Sequence, residues 1–390
     1  MHASEIRELL KLLGRDDIIS FAGGIPDPDL FPAEQFQASF TRHMSAGDAR
    51  VSLQYAASEG FLPLREWISD HMASIGVRCE VDNILLTSGS QQALDYLARL
   101  FLNAGDTALV GWPTYMGALM AFNQYEPRFD RLPIQGNLGN AEIAGEAEAA
   151  GGRVKLAYVT PDFANPTGET LNLMQREKLL NDAHEMDIAV VEDGAYQALR
   201  YEGEDVPPVL ALDIQRSGDI NSTRTIYCGS FSKTLSPGLR VGWVCGRRDI
   251  VQRLVMMKQA SDLHSPTVNQ IVINDIARSL FHDQVSKARL TYKARLDAML
   301  SALQTQMPEG VSWTKPQGGM FIWVTLPDHM DSSALLGQSL EEAKVAFVPG
   351  RPFHSDGKGS NTMRLSFSCM NESKIDEGIR RLGAVLRSRP

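Results

Sequence analysis

Lys233 stands in the run Gly229-Ser230-Phe231-Ser232-Lys233-Thr234-Leu235-Ser236-Pro237-Gly238-Leu239-Arg240, where one amine is flanked by hydroxyls, glycines and a guanidinium. An amine can condense with a carbonyl, and Ser230, Ser232 and the forked Arg240 offer donors to a phosphate. The run therefore suits a phosphorylated aldehyde. Taken alone it reads more readily as a solvated Ser/Gly turn, so the weight falls on the other groups along the chain.

Four such groups follow the same logic. Ile84-Leu85-Leu86-Thr87-Ser88-Gly89-Ser90-Gln91-Gln92-Ala93-Leu94 reads as a buried strand, a tight turn at Gly89 and an amphipathic helix. The helix opens at Ser90 and Gln91 with free backbone N–H groups and the positive end of its dipole, a seat for a dianion, although Ser90 as a plain cap is the simpler reading of that segment alone. Asp187-Ile188-Ala189-Val190-Val191-Glu192-Asp193 puts a carboxylate, Asp193, at the carboxyl end of an apolar strand, where it can keep a pyridine nitrogen protonated. Glu192 points to the opposite face and receives no role. Asn165, in the turn Asn165-Pro166-Thr167-Gly168, and Tyr196 can donate to a ring oxygen. Arg364 lies on the polar parity of Thr362-Met363-Arg364-Leu365-Ser366, a half-buried strand pattern, and either meets solvent or a structural acid or holds a carboxylate in two-pronged fashion.

These groups need elements that carry them to one place. Short apolar strands alternate with helical stretches from about residue 84 to 280, the pattern of a mainly parallel sheet covered by helices. The clearest strands, 154–159, 187–191 and 225–228, each end near a candidate residue, and the carboxyl edge of such a sheet is where its chemistry sits. A charged helix over 285–303, the strand 320–324, a helix near 331–343 and the Arg364 strand form a smaller lobe. The Gly-, Ala- and Glu-rich segment 135–152 reads as a surface excursion.

The composition sets bounds. With 390 residues, 43% of them hydrophobic, the chain can bury a large core. A formal net charge of -9 argues against a nucleic-acid partner. No apolar run approaches the ~20 residues of a spanning helix, and the opening Met1-His2-Ala3-Ser4-Glu5 lacks a signal-peptide pattern. Cys79, Cys228, Cys245 and Cys369 are scattered as reduced cytoplasmic thiols would be, and the histidines show no metal-type spacing, so no metal is expected.

The ordered set Phe21-Ala22-Gly23-Gly24-Ile25-Pro26, Gly89-Ser90-Gln91-Gln92, Asn165-Pro166-Thr167-Gly168, Ser230-Phe231-Ser232-Lys233, Gly238-Leu239-Arg240-Val241-Gly242-Trp243 and Met363-Arg364-Leu365-Ser366-Phe367 resembles the fold-type I pyridoxal phosphate aminotransferases of class I/II. Within them it is most similar to the 2-aminoadipate and kynurenine group. The resemblance implies an α/β fold with a large domain built on a mainly parallel seven-stranded sheet between helices, plus a smaller α+β domain. Residues 1–40 would form an N-terminal arm and part of the small domain, 41–280 the large cofactor-binding domain and 281–390 the small domain.

It also implies roles. Lys233 would be the Schiff-base lysine and proton shuttle, Asp193 the partner of the ring nitrogen, and Asn165 and Tyr196 the donors to the phenolate oxygen. Ser90, Gln91, Ser230, Ser232 and Arg240 would hold the phosphate, Tyr115 would stack on the ring, and Tyr55 would reach in from the second subunit of a homodimer. Arg364 would take the α-carboxylate, with Asn165 and Gly24 beside the substrate and Arg7 meeting a distal carboxylate. The implied reaction is a ping-pong transfer of an amino group from a 2-aminoadipate-like, aromatic or branched L-amino acid to a 2-oxo acid such as 2-oxoglutarate. A lyase or racemase on the same cofactor, or a non-catalytic sensor domain, shares these motifs. The chain departs from the family pattern at Gly194, where a second acid is common, and at Ala56-Ala57-Ser58 after Tyr55. Ser230-Phe231-Ser232-Lys233 is formally an S-x-x-K, but the companion motifs of serine acyl-enzymes are missing.

Overall fold

A computed structural model describes residues 17–45, 47, 49–136 and 138–388. Seven strands form the large sheet: β1 (Ile84–Thr87), β2 (Thr107–Val110), β3 (Arg128–Arg131), β4 (Val154–Val159), β5 (Ala189–Asp193), β6 (Thr225–Ser230) and β7 (Gly242–Cys245). Their spatial order is β1-β7-β6-β5-β4-β2-β3. Neighbouring strands run parallel except β7, which is antiparallel to both β1 and β6. The carboxyl ends of β1, β2, β4, β5 and β6 therefore share one edge with the amino end of β7. Strands β1, β2, β6 and β7 are buried along their whole length, which is why they read as unbroken apolar runs rather than alternating ones.

At that edge the backbone closes up on itself. A Cβ on Gly242 would lie 2.8 Å from the Gly229 carbonyl oxygen and 2.9 Å from the Ser90 nitrogen, so only glycine lets β7 pass between the Gly89 turn and β6.

A second, antiparallel sheet contains β8 (Ser312–Trp313), β9 (Phe321–Thr325), β10 (Val348–Pro349) and β11 (Thr362–Ser366), in the order β10-β11-β9-β8. All five residues of β11 are buried, not half of them. Met363 and Leu365 enter the small-lobe core, while Arg364, on the opposite parity, lines a buried cleft rather than meeting solvent.

The charged helix expected over 285–303 is the second half of one 40-residue helix, Thr267–Gln306, about 60 Å long at 1.5 Å per residue. Its first half packs Ile273, Ile276, Ala277 and Phe281 with Leu64, Ile84 and Trp243 of the large lobe. Its second half packs Tyr292, Leu296, Met299 and Leu303 with Phe321, Met363 and Leu365 of the small one. The switch from one buried face to the other obscures a single helical stripe in the sequence. Segment 135–152 is likewise more ordered than a surface excursion: Asn140–Ala149 is a helix with Ile143 and Ala147 buried, and Ile143 packs with Leu109 and Ala157 of the sheet and with Leu132 just past β3. The helix near 331–343 runs as Ser332–Gln338 and continues as a π-turn, Ser339–Ala343.

Candidate active site

Strand β6 delivers the lysine. At its end the Ser230 hydroxyl accepts the Ser232 N–H at 3.0 Å, capping a one-turn 3-10 helix, Phe231–Lys233. Phe231 is fully buried against Trp67 and Trp243, which pins the turn. Lys233 then projects into a cleft of about 430 Å³ and donates from Nζ to the Gly24 carbonyl at 2.8 Å. Burial, and then repulsion from Arg364, pull the pKa of this amine down to about 8, with Asp193 opposing. An amine so placed is easily made neutral and nucleophilic.

Strand β5 delivers Asp193. Its carboxylate accepts the Tyr158 hydroxyl at 2.8 Å and the Ala195 N–H at 3.3 Å. Burial raises its pKa, and these hydrogen bonds together with Lys233 offset part of the rise. Tyr158 was not identified from the sequence. The available signal was a single tyrosine in an aliphatic strand, since a fully buried phenol needs a partner. Glu192 points the other way, as expected, but it is occupied: its two oxygens accept the Val209 and Leu210 N–H groups at 2.8 Å each, at the start of the helix Val209–Ser217. Burial pushes its pKa up to about 7. Gly194 has a steric cause, because a Cβ there would lie 2.1 Å from the Tyr227 hydroxyl.

Strand β11 carries Arg364, only 4% exposed, with its guanidinium carbon 4.3 Å from the Phe321 ring centre and 5.1 Å from that of Phe353. It donates to the Asn165 side-chain oxygen at 2.8 Å and the Ala22 carbonyl at 2.9 Å. Its Nε has no partner, and among the described residues no carboxylate forms an ion pair with it. Burial pulls its pKa down to about 10, against the raising influence of Tyr196 and Tyr115. A buried cation with neutral neighbours is set to receive an anion. Tyr196 is buried beside Asn165, its ring edge-on to Phe321.

The dianion seat is also built. Gly89, with φ 80, precedes the helix Ser90–Phe101. Arg240, in the left-handed region with φ 54, lies so close that a Cβ on Gly89 would come within 2.3 Å of its Nη2. Among the described residues Arg240 donates to neutral acceptors: the Ser232 hydroxyl and the Pro237 carbonyl at 3.3 Å, and the Ser88 carbonyl at 3.4 Å. The Gln91 side chain is committed to the Gly117 carbonyl at 2.7 Å, which leaves its backbone N–H for a ligand.

Gly24, Ser90, Gln91, Tyr115, Asn165, Asp193, Tyr196, Lys233 and Arg364 all line the one cleft. Ser230, Ser232 and Arg240 do not line it but are joined to one another by hydrogen bonds, with Arg240 against the Gly89 turn that precedes Ser90. Tyr55 does not line it: the side chain is 79% exposed, edge-on to His264. Arg7 lies outside the described residues. Ile25, Met116 and Met120, unremarked in the sequence, supply an apolar wall.

These groups fit pyridoxal phosphate: an amine poised for its aldehyde, an acid for its ring nitrogen, amide and phenol donors for its oxygen, and a helix start with an arginine for its phosphate. Sheet topology and donor set together define a pyridoxal phosphate enzyme of fold type I.

The chain belongs to the aminotransferase class I and II family, whose pattern matches residues 16–382. It is 41% identical to the aromatic-amino-acid aminotransferase 1 of Thermococcus litoralis, over 99% of this chain and 92% of that protein. Among solved structures, the kynurenine aminotransferase of Pyrococcus horikoshii superposes with a TM-score of 0.90 at 43% identity, covering 100% of this chain and 95% of the other. The alpha-aminoadipate aminotransferase of Thermus thermophilus, complexed with N-(5'-phosphopyridoxyl)-L-leucine, superposes at 0.87 and 40% identity, covering 99% and 95%. The chain is a pyridoxal phosphate-dependent aminotransferase.

Proposed function

We propose that the cleft carries out ping-pong transamination with Lys233 as its acid–base group, the reading that a partly buried amine beside Asp193 and an Arg364 with no acid partner among the described residues supports best. Pyridoxal phosphate, when bound, supplies an aldehyde that exchanges amines and a ring that takes up the electrons released at the substrate Cα. Asp193 would keep the ring nitrogen protonated, and its bonds from Tyr158 and Ala195 favour its ionised form against the effect of burial. Asn165 and Tyr196 donate to the ring oxygen, and Tyr115 stacks on the ring. The first-turn N–H groups at Ser90 and Gln91, with Ser230, Ser232 and Arg240, hold the phosphate. Arg364 would fix the α-carboxylate and so orient the Cα proton toward the Lys233 amine, which would take that proton up and hold it for return.

The donors are L-amino acids with aromatic, branched or 2-aminoadipate-like side chains, and 2-oxoglutarate is the acceptor. The apolar wall of Ile25, Met116 and Met120 supports the first two classes. Gly24 beside the substrate and Arg7 on a distal carboxylate would serve the third. Tyr55 acts on the phosphate of a second copy in a homodimer, which the exposed apolar side chains of Val51, Leu53 and Leu263 near it favour. We assign residues 1–40 and 281–390 to the small lobe with its arm and 41–280 to the large lobe. The free thiols of all four cysteines accord with a cytoplasmic enzyme, and among the described residues no helix is long and apolar enough to cross a membrane.

The test is an absorbance spectrum of the purified protein and of Lys233→Ala during addition of single amino acids. A visible band in the wild type that an amino acid bleaches and 2-oxoglutarate restores, with no such cycle in Lys233→Ala, is the expected result. A band that shifts without reversible bleaching would point to a lyase, a racemase or a sensor. Arg7→Ala should lower the preference for 2-aminoadipate over leucine, and an unchanged preference would remove Arg7 from the site.

A further inference from the structure

The Gly89 turn has no side-chain cap of its own. What holds it is a polar network outside the residues that line the cleft. Gln92, at the third position of the helix Ser90–Phe101, accepts the Ser88 N–H at 2.9 Å and the Lys258 ammonium at 2.8 Å on the same oxygen. Its nitrogen donates to Asp262 at 2.8 Å. Lys258 also bonds both Asp262 oxygens at 3.0 Å. Ser88, held by Gln92 through its N–H and by Ser265 through its hydroxyl at 3.0 Å, presents its carbonyl to Arg240.

Lys258 is the unusual member, because its side chain is 0% exposed on the helix Arg248–Ser261 while Asp262 keeps 32%. Burying an ammonium is costly, and an apolar side chain of the same length would fill the space without that cost. Stability therefore gives no reason for a lysine here. The geometry gives one: the ammonium polarises the Gln92 oxygen and locks the amide's orientation. That oxygen then faces Ser88, and the Ser88 carbonyl faces Arg240.

We propose that Lys258, Gln92 and Asp262 are positioning residues for the cofactor phosphate: they fix the Ser88-Gly89-Ser90 turn, and through it aim the helix-start N–H groups and the Arg240 fork at one point. This rests on the reading of the Gly89–Arg240 region as the phosphate seat. A network that merely supported the fold would affect every ligand of the cleft alike. One that aims phosphate donors affects only ligands that carry a phosphate.

The experiment compares two probes on the full-length protein freed of cofactor: pyridoxal phosphate and pyridoxal, which lacks the phosphate. Dissociation constants come from the visible band, with the melting temperature of the cofactor-free protein measured alongside. Wild type should bind pyridoxal phosphate far more tightly than pyridoxal, and equal affinities would remove the phosphate-seat reading itself. In Lys258→Met and Gln92→Leu, pyridoxal phosphate should weaken at least roughly tenfold, the scale of one charge-assisted hydrogen bond, while pyridoxal stays within about twofold. Parallel weakening of both probes, or no change in either, overturns the proposal. Gln92 is partly exposed, so Gln92→Leu reads out the same effect if Lys258→Met fails to fold.

Discussion

Arg364 and Arg240 both act on the Lys233 amine, and among the described residues both donate to carbonyl, amide or hydroxyl oxygens rather than to an acid. They differ in how they are held. Arg364 is buried, flanked by two aromatic rings and fixed through Nη1 and Nη2 with Nε left over. Arg240 is exposed, set by a left-handed backbone among serine hydroxyls and a helix start. A rigid planar fork in a dry pocket selects a planar carboxylate, whereas an open cradle of N–H and O–H donors suits a tetrahedral dianion. In the proposed reading the cation at the chemistry is thus costly and selective, and the cation at the anchor is accessible and one of several donors.

The largest effect should follow from removing the buried one. Arg364→Gln should lower kcat/KM for amino acids about 10²- to 10³-fold, the range for truncating one member of a buried charge pair, while leaving pyridoxal phosphate affinity within a few-fold. Arg364→Lys should recover little, because a point charge cannot replace the fork between Phe321 and Phe353. Arg240→Gln should do the reverse, with pyridoxal phosphate binding roughly 10- to 100-fold weaker and kcat at saturating cofactor changed only a few-fold. Steady-state kinetics with cofactor titration separates the two, and variants that lose both properties alike would erase the distinction.

The comparison also shows where sequence stops. Lys233, Asp193, Asn165 and the Gly89 turn were legible because each follows an apolar strand, and a parallel sheet brings strand ends to one edge whatever their order. The partners of those residues were not. The neutral acceptors of Arg364 are 199 and 342 residues away in sequence, Tyr158 is 35 residues from Asp193, and Lys258 is 166 from Gln92. No local periodicity encodes such pairs. The long helix was half-read for a related reason: its buried face changes lobes partway along, so the apolar stripe that marks one core stops before the stripe for the other begins.

A smaller effect tests a partner that sequence missed. Tyr158→Phe removes a hydrogen bond that lowers the pKa of Asp193, while the burial that raises it stays. The pKa of Asp193 must then rise, and the carboxylate protonates at higher pH. The acid limb of the kcat pH profile should move up, with a loss of about tenfold on its slope and little change above it. An acid limb at its wild-type position would mean that Asp193 does not set it.

The smallest effect ties the two arginines to the lysine. Lys233 has a pKa of about 8, and after burial the largest lowering influence is Arg364, with Arg240 weaker. Capture of the cofactor needs the neutral amine. Its fraction climbs from about one tenth at pH 7 to about one half at pH 8, so the rate of capture by cofactor-free protein should rise roughly fivefold over that unit and flatten above it. An ordinary lysine, with its pKa of 10.5, would instead keep gaining close to tenfold per unit up to about pH 9.5. In Arg364→Gln one source of repulsion is gone, the ammonium form is easier to keep, and the midpoint must move up. In Arg240→Gln it should move in the same direction but less. Stopped-flow absorbance across pH reads the midpoint independently of how fast each variant binds. A larger shift from Arg240 than from Arg364 would reverse the assignment of which arginine acts at the chemistry and which at the anchor.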